Sequence, residues 1–278
     1  MTLRVGVKLP FRFSTAGEFL ADAQAYEAAG VHSLWVAEGT FRTADEAQVP
    51  PSLDPWTQLA AVAAVTSRVL LGTSVSIVAQ WPPALFAQMI TTLEHLSRTR
   101  MIIGIGAGCE QVQLEATGVP YKQRGARLDE FIEVVSRIWR GNPDPFEGRF
   151  YQLPAMRVAP ALREGGPPIL VGGLTEPGFQ RAARLGDGFI HRGGSPEQVK
   201  REFDRVLQLR QEAGRKGNFE LWVQVRSPQG RAAWRETLRD YGQTGATGII
   251  VSHAPNVLDI LRNPDREDDR QDLLIATG

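Results

Sequence analysis

A chain of 278 residues with 42% hydrophobic content carries enough apolar material for one large α/β barrel or two average domains. Its 31 basic residues balance its 31 acidic ones, which argues against a nucleic-acid or membrane-surface footprint across the whole chain. A single cysteine, Cys109, excludes an internal disulfide, and no apolar run reaches membrane-spanning length, so a soluble cytoplasmic protein is expected.

Arg4 to Leu9 reads as a first strand, followed by a helix from about Thr15 to Gly30 in which Phe19, Ala23 and Tyr26 share a face and Gly30 supplies the stop. Ser33 to Ala37 is a second strand. Asp54-Pro55 then provides an N-cap and a proline at the first helical position, opening a helix to about Thr66. A third strand spans Val69 to Val75, a helix covers Pro83 to Leu96, and Met101 to Ile105 is a fourth strand. It runs into a glycine-rich loop and a long helix with an apolar stripe of Leu128, Phe131, Ile132, Val135, Ile138 and Trp139. Residues 142–167 break the rhythm and read as a hairpin excursion. Strands at Ile169 to Gly172, Gly188 to His191, Phe219 to Val225 and Thr247 to Ser252 then alternate with helices near Pro177 to Leu185, Pro196 to Ala213, Arg231 to Tyr241 and Asn256 to Leu261.

Eight strand–helix pairs predict a single-domain (β/α)8 TIM barrel over residues 1–278, with 142–167 as an insertion and 264–278 as a polar tail. A Rossmann-type sheet would want Gly-x-Gly-x-x-Gly directly after the first strand. That strand ends Lys8-Leu-Pro-Phe11, and the run Gly104-x-Gly-x-Gly108 follows the fourth.

Several strands end in small or polar residues, which leaves bare backbone at the end where barrels carry function. Gly104, Gly106 and Gly108 either open the rim to a bulky ligand or only relieve crowding. Gly172-Gly173 precedes Thr175, an expected N-cap with Pro177 just inside the helix, and a helix start of this kind offers N–H groups to a phosphate.

The motifs Val69-Leu-Leu-Gly-Thr-Ser-Val75, Ile105-Gly-Ala-Gly108, Arg124-Gly-Ala-Arg-Leu-Asp-Glu130, Ile138-Trp-Arg-Gly141, Gly148-Arg-Phe-Tyr151, Pro168-Ile-Leu-Val-Gly-Gly173 and Ala182-Ala-Arg-Leu-Gly-Asp-Gly188 together resemble the bacterial luciferase-like monooxygenase superfamily, and within it the coenzyme F420-dependent oxidoreductases. The resemblance implies a (β/α)8 barrel and a non-proline cis peptide at Ser74-Val75, in a bulge where Thr73, Ser74 and Val75 face the cofactor ring. It places phosphate contacts at Gly106, Ala107, Gly108 and Cys109 and at Gly172, Gly173 and Leu174. A homodimer is implied as well.

Departures matter too. Related sugar-phosphate dehydrogenases carry an Asp-His pair where this chain has Glu38-Gly39, and Glu where it has Cys109, with Glu110 one step later, so oxidation of glucose 6-phosphate by that mechanism is not expected.

Glu38, His191, Arg192, Arg226 and His253 lie at or just past predicted strand ends, where they could converge over a ring. His191 is the expected proton donor, with a structural rim histidine as the competing reading. Glu38 is the second catalytic candidate, although it could instead orient backbone amides. Phe11, Phe41 and Trp81 would form an apolar wall, with Arg226 and His253 completing the substrate pocket. Cys109 is either a reactive thiol of lowered pKa or a small filler. No His/Cys/Asp grouping has ligand spacing, so no metal site is expected.

The expected function is hydride transfer between F420 and a small organic molecule. The alternatives are an FMN-dependent monooxygenase and a barrel that binds its coenzyme without turnover.

Overall fold

A computed structural model describes residues 3–10, 15–39, 53–157, 163–253 and 255–262. Strands β1 (Arg4–Lys8), β2 (Ser33–Val36), β3 (Leu70–Thr73), β4 (Ser76–Ile77), β5 (Met101–Gly106), β8 (Ile169–Gly172), β9 (Gly188–His191), β10 (Glu220–Val225) and β11 (Gly248–Ser252) form one parallel sheet. It closes on itself, because β3 pairs with β5 (Leu71 opposite Met101) as well as with β2. The short β4 continues the third barrel stave past a break at residues 74–75, so the barrel has eight staves. The excursion contains an antiparallel pair, β6 (Phe146–Glu147) and β7 (Gln152–Leu153).

Helices α1 (Ala16–Ala28), α2 (Pro55–Val65), α3 (Pro83–Ser97), α5 (Arg124–Trp139), α6 (Glu176–Leu185), α7 (Pro196–Glu212), α8 (Gly230–Gly242) and α9 (Pro255–Arg262) follow the staves in turn. The expected caps form at α1, where Thr15 accepts from Glu18 N, and at α2, where Asp54 accepts from Thr57 N. A short helix, α4 (Gln111–Glu115), had no sequence expectation, since five residues are too few to show a period. Thr175 occupies the N-cap position of α6, but its side chain makes no capping bond, contrary to expectation.

Each stave alternates its side chains between the helix layer and the lumen. Outward residues such as Val7, Leu34, Leu71, Ile103, Val171, Phe189, Val223 and Val251 pack under the helices. Inward ones form a separate core of Trp35, Ile102, Leu170, Ile190, Trp222 and Ile250. The rings of Trp35 and Trp222 lie 5.2 Å apart across the lumen. Glycines make room for them: a Cβ at Gly6 or Gly72 would sit 2.4 or 2.6 Å from Trp35, and one at Gly248 would sit 2.5 Å from Trp222. At the N-terminal end, Arg4 pairs with Glu220 and lies over Trp222, beside a small cleft of about 120 Å3. The larger opening, about 650 Å3, lies at the C-terminal mouth.

A methyl group added at Gly72 or Gly248 has rigid indole in its path. Gly72→Ala and Gly248→Ala should each lower unfolding free energy by about 1–3 kcal/mol in urea titrations, and a loss below about 0.5 kcal/mol would show that the lumen is not tightly filled.

Candidate active site at the C-terminal mouth

The third stave breaks at a cis Ser74–Val75 peptide, where the sequence resemblance places it. Val75 turns towards the lumen core and lies against the two bare positions facing it. A Cβ at Gly106 would stand 2.9 Å from Val75 Cγ2, and one at Gly172 would stand 3.0 Å from Val75 Cγ1. Ser74 Oγ is buried and has no hydrogen-bond partner among the described residues. Thr73 is different: its hydroxyl donates to the Gly104 carbonyl at 2.6 Å and so braces the neighbouring stave.

Glu38, just past β2, holds this break in place. Its carboxylate accepts from the Ile77 amide at 2.9 Å, from the Ser76 hydroxyl, from the Gln80 amide and, at 3.4 Å, from the Gln113 amide on α4. Burial pushes the Glu38 carboxyl above its ordinary value, while the bonds from Ser76 and Ile77 pull it back. These bonds tie Glu38 to the loop that follows the break.

Beside the break, the amides of Ala107, Gly108, Gly173 and Leu174 donate to no carbonyl or side chain among the described residues. Gly108 has φ +87° and packs on Ile77, while its carbonyl accepts from Arg124 Nε at 3.1 Å. Gly173, at φ +148°, passes close to Gly178 in the first turn of α6, which brings the two loops' free N–H groups onto one rim. Cys109 is exposed, and partial burial of its thiol together with Glu110 pushes its pKa up, so the reactive-thiol reading does not hold.

The other side of the mouth is polar. A cleft of about 650 Å3 is lined by Lys8, Arg192, Gly193, Gly194, Gln224, Val225, Arg226, Thr237, Tyr241 and Ser252. Lys8, Gln224 and Ser252 follow the inward parity of Gly6, Trp222 and Ile250. Lys8 Nζ donates to Gln224 Oε1 at 3.3 Å, and its pKa is lowered by burial and by Arg192.

Two expected site residues face elsewhere. His191 is fully buried in the layer beneath α7, edge-on to Phe189 and Phe203, with Nε2 2.5 Å from Glu202 Oε2 and Nδ1 accepting from the Gly193 amide at 3.0 Å. Inward Gly188 and Ile190 make His191 an outward residue, so it reaches no substrate in the mouth. His253 turns to α1, 3.0 Å from the Tyr26 hydroxyl and 3.8 Å from Asp22, and takes no part in lining the cleft. Trp81 packs on Phe86 of α3. Arg226 lines the cleft, and Leu174 is exposed on the rim. Phe11, Phe41 and the 264–278 tail lie outside the described residues. Gln80 and Gln113 had no expectation, because only the folded chain brings them to Glu38. Gln224 and Ser252 were legible from the alternation with Trp222 and Ile250. The described residues contain no group of side chains suited to a metal and no helix long and apolar enough to cross a membrane.

A closed parallel barrel with helices between its staves, a glycine-bare rim on one side of its C-terminal mouth and a cationic cleft on the other is a (β/α)8 barrel. The chain matches the family model of luciferase-like monooxygenases over residues 3–272, and it belongs to that family. It is 34% identical over 215 residues to an uncharacterised protein of Mycobacterium tuberculosis, covering 72% of this chain and 74% of that one. It is 31% identical over 206 residues to F420-dependent glucose-6-phosphate dehydrogenase of Mycobacterium avium, covering 72% of this chain and 60% of the enzyme. An F420-dependent secondary alcohol dehydrogenase, solved with an F420–acetone adduct, superposes with a TM-score of 0.83 at 17% identity, over 96% of this chain and 100% of its own. EDTA monooxygenase from Chelativorans does so with the same score at 13% identity, over 100% and 94%. Both show the shared fold.

A carboxyl whose folded pKa is raised binds its proton more tightly in the native state, so its contribution to stability is present below the ordinary value of 4.5 and lost as pH rises through the raised one. Unfolding free energy should accordingly decline over that window, and the Glu38→Gln protein should lack this decline; identical pH profiles would refute it. His191→Asn should cost about 1–3 kcal/mol of stability yet leave kcat nearly unchanged, whereas a general acid in that place would lose about 100-fold or more.

Proposed function

We propose that the protein is an F420-dependent oxidoreductase that passes a hydride between the deazaflavin and a small organic substrate at the C-terminal mouth. The observation that carries this reading is the cradle made by Val75, Gly106 and Gly172, flanked by amides without partners and by the orphaned Ser74 hydroxyl. A flat ring fits against Val75 where no Cβ intrudes, and a phosphate fits the amides of Ala107, Gly108, Gly173 and Leu174 at the start of α6. Family membership and the F420-dependent relative at 31% identity support the choice of cofactor. FMN is the alternative, supported by the monooxygenase neighbour.

When bound, the deazaflavin supplies a carrier of two electrons and a hydrogen. The chain's own residues do the rest. Glu38 fixes the loop that carries Val75, and the filled lumen excludes water from below. Lys8 Nζ, its ammonium weakened by burial and by Arg192, is placed to give a proton to the substrate atom that gains charge. This role replaces the one expected of His191. With Gly39 and Cys109 at the positions where the sugar-phosphate dehydrogenases carry His and Glu, glucose 6-phosphate oxidation is not the proposed reaction.

Fluorescence titration with F420 and with FMN tests the reading. F420 should bind and FMN should not; binding of FMN alone would favour the monooxygenase, and binding of neither would remove both. Gly106→Ala, which pushes a methyl into Val75, should weaken F420 binding about tenfold or more while circular dichroism stays native.

A further inference from the structure

The cationic side of the mouth is more elaborate than holding a planar ring requires. Three cations, Lys8, Arg192 and Arg226, line one cleft, and no acidic side chain lines it among the described residues. Arg192 and Arg226 are both exposed to the cleft's solvent, and neither pairs with a carboxylate among the described residues. Like charges gathered in a concave surface repel one another and raise the local potential, an arrangement that an entering anion relieves.

The loop bearing Arg192 is also pinned on both sides. The Gly193 amide donates to His191 Nδ1 at 3.0 Å, and His191 is itself anchored by Glu202. The Gly194 carbonyl accepts from the Tyr241 hydroxyl at 2.7 Å. Gly193 has φ +112°, and a Cβ there would stand 2.8 Å from the Gln224 carbonyl oxygen, so the loop lies flat on β10. The buried histidine thus acts by fixing the backbone on either side of Arg192. Gln224 and Ser252 add neutral donors at the cleft's inner end.

We propose that this cleft seizes the anionic group of the substrate, a carboxylate or phosphate ester, through Arg192 and Arg226, with Lys8 at its inner end. The proposal rests on the reading of the mouth as a redox site and names the class of substrate that site takes: a small organic anion whose reacting carbon projects from the cleft towards Val75.

Inorganic phosphate is the probe, titrated calorimetrically into wild type and into the Arg192→Gln/Arg226→Gln double variant, each with and without F420. The Kd of F420 is measured by fluorescence in both proteins. Phosphate should bind wild type in the presence of F420 and bind the double variant about tenfold or more weakly, with the F420 Kd unchanged. Absence of phosphate binding, or equal binding by both proteins, overturns the proposal. Competition between phosphate and F420, together with a weakened F420 Kd in the double variant, overturns it too, because the cations then hold the coenzyme's own anionic tail. Phosphate binding that depends on the two arginines in a protein that binds neither F420 nor FMN removes the redox reading and leaves the anion site standing.

Discussion

The barrel is organised around two indoles. Trp35 and Trp222 meet 5.2 Å apart in the lumen, and Gly6, Gly72 and Gly248 exist in that space to admit them. Large rings bury much area each, and close packing of rigid groups leaves no room for small adjustments. A lumen filled in this way is a floor. It sends every ligand to the C-terminal ends of the staves and makes the side chain one step above each indole layer the lining of the site.

That lining is divided by chemistry. On the staves formed by β3, β5 and β8 the inward positions are valine and glycine, which leaves a flat apolar wall with backbone N–H groups beside it. On those formed by β9, β10, β11 and β1 the strand ends supply Lys8, Gln224, Ser252 and two arginines. Under the proposed function the ring would rest on the first surface and the charged fragment of the substrate on the second, so the two halves of the mouth would not compete for the same group. Glu38 belongs to neither half. Its carboxylate joins the second stave to the third and to α4, and so sets the height of Val75 above the floor.

Most of the architecture was legible in the sequence, because the signals were long and periodic. The stripe from Leu128 to Trp139 became α5, and the apolar runs bounded by glycine became staves of the barrel. The break at Ser74–Val75 was legible through resemblance alone, since nothing in the residue types demands it. His191 was misread because its place at a strand end outweighed the simple alternation set by Gly188 and Ile190, which turns it outward to Glu202. Gln80 and Gln113 could not be read, since they meet Glu38 across 42 and 75 positions of sequence. Thr175 shows the limit of motif reading in another way: the position was right, and the side chain left the helix start open.

Cys109 offers a handle of a different kind. It is the only sulfhydryl in the chain and stands next to Gly108 on the bare rim, and partial burial together with Glu110 raises its pKa. Spontaneous oxidation at neutral pH is thereby slowed, while alkylation under mildly alkaline conditions reaches one defined atom. A fluorophore attached at that atom would report occupancy of the glycine rim, and it would stand near Arg192, whose charge already reaches the thiol.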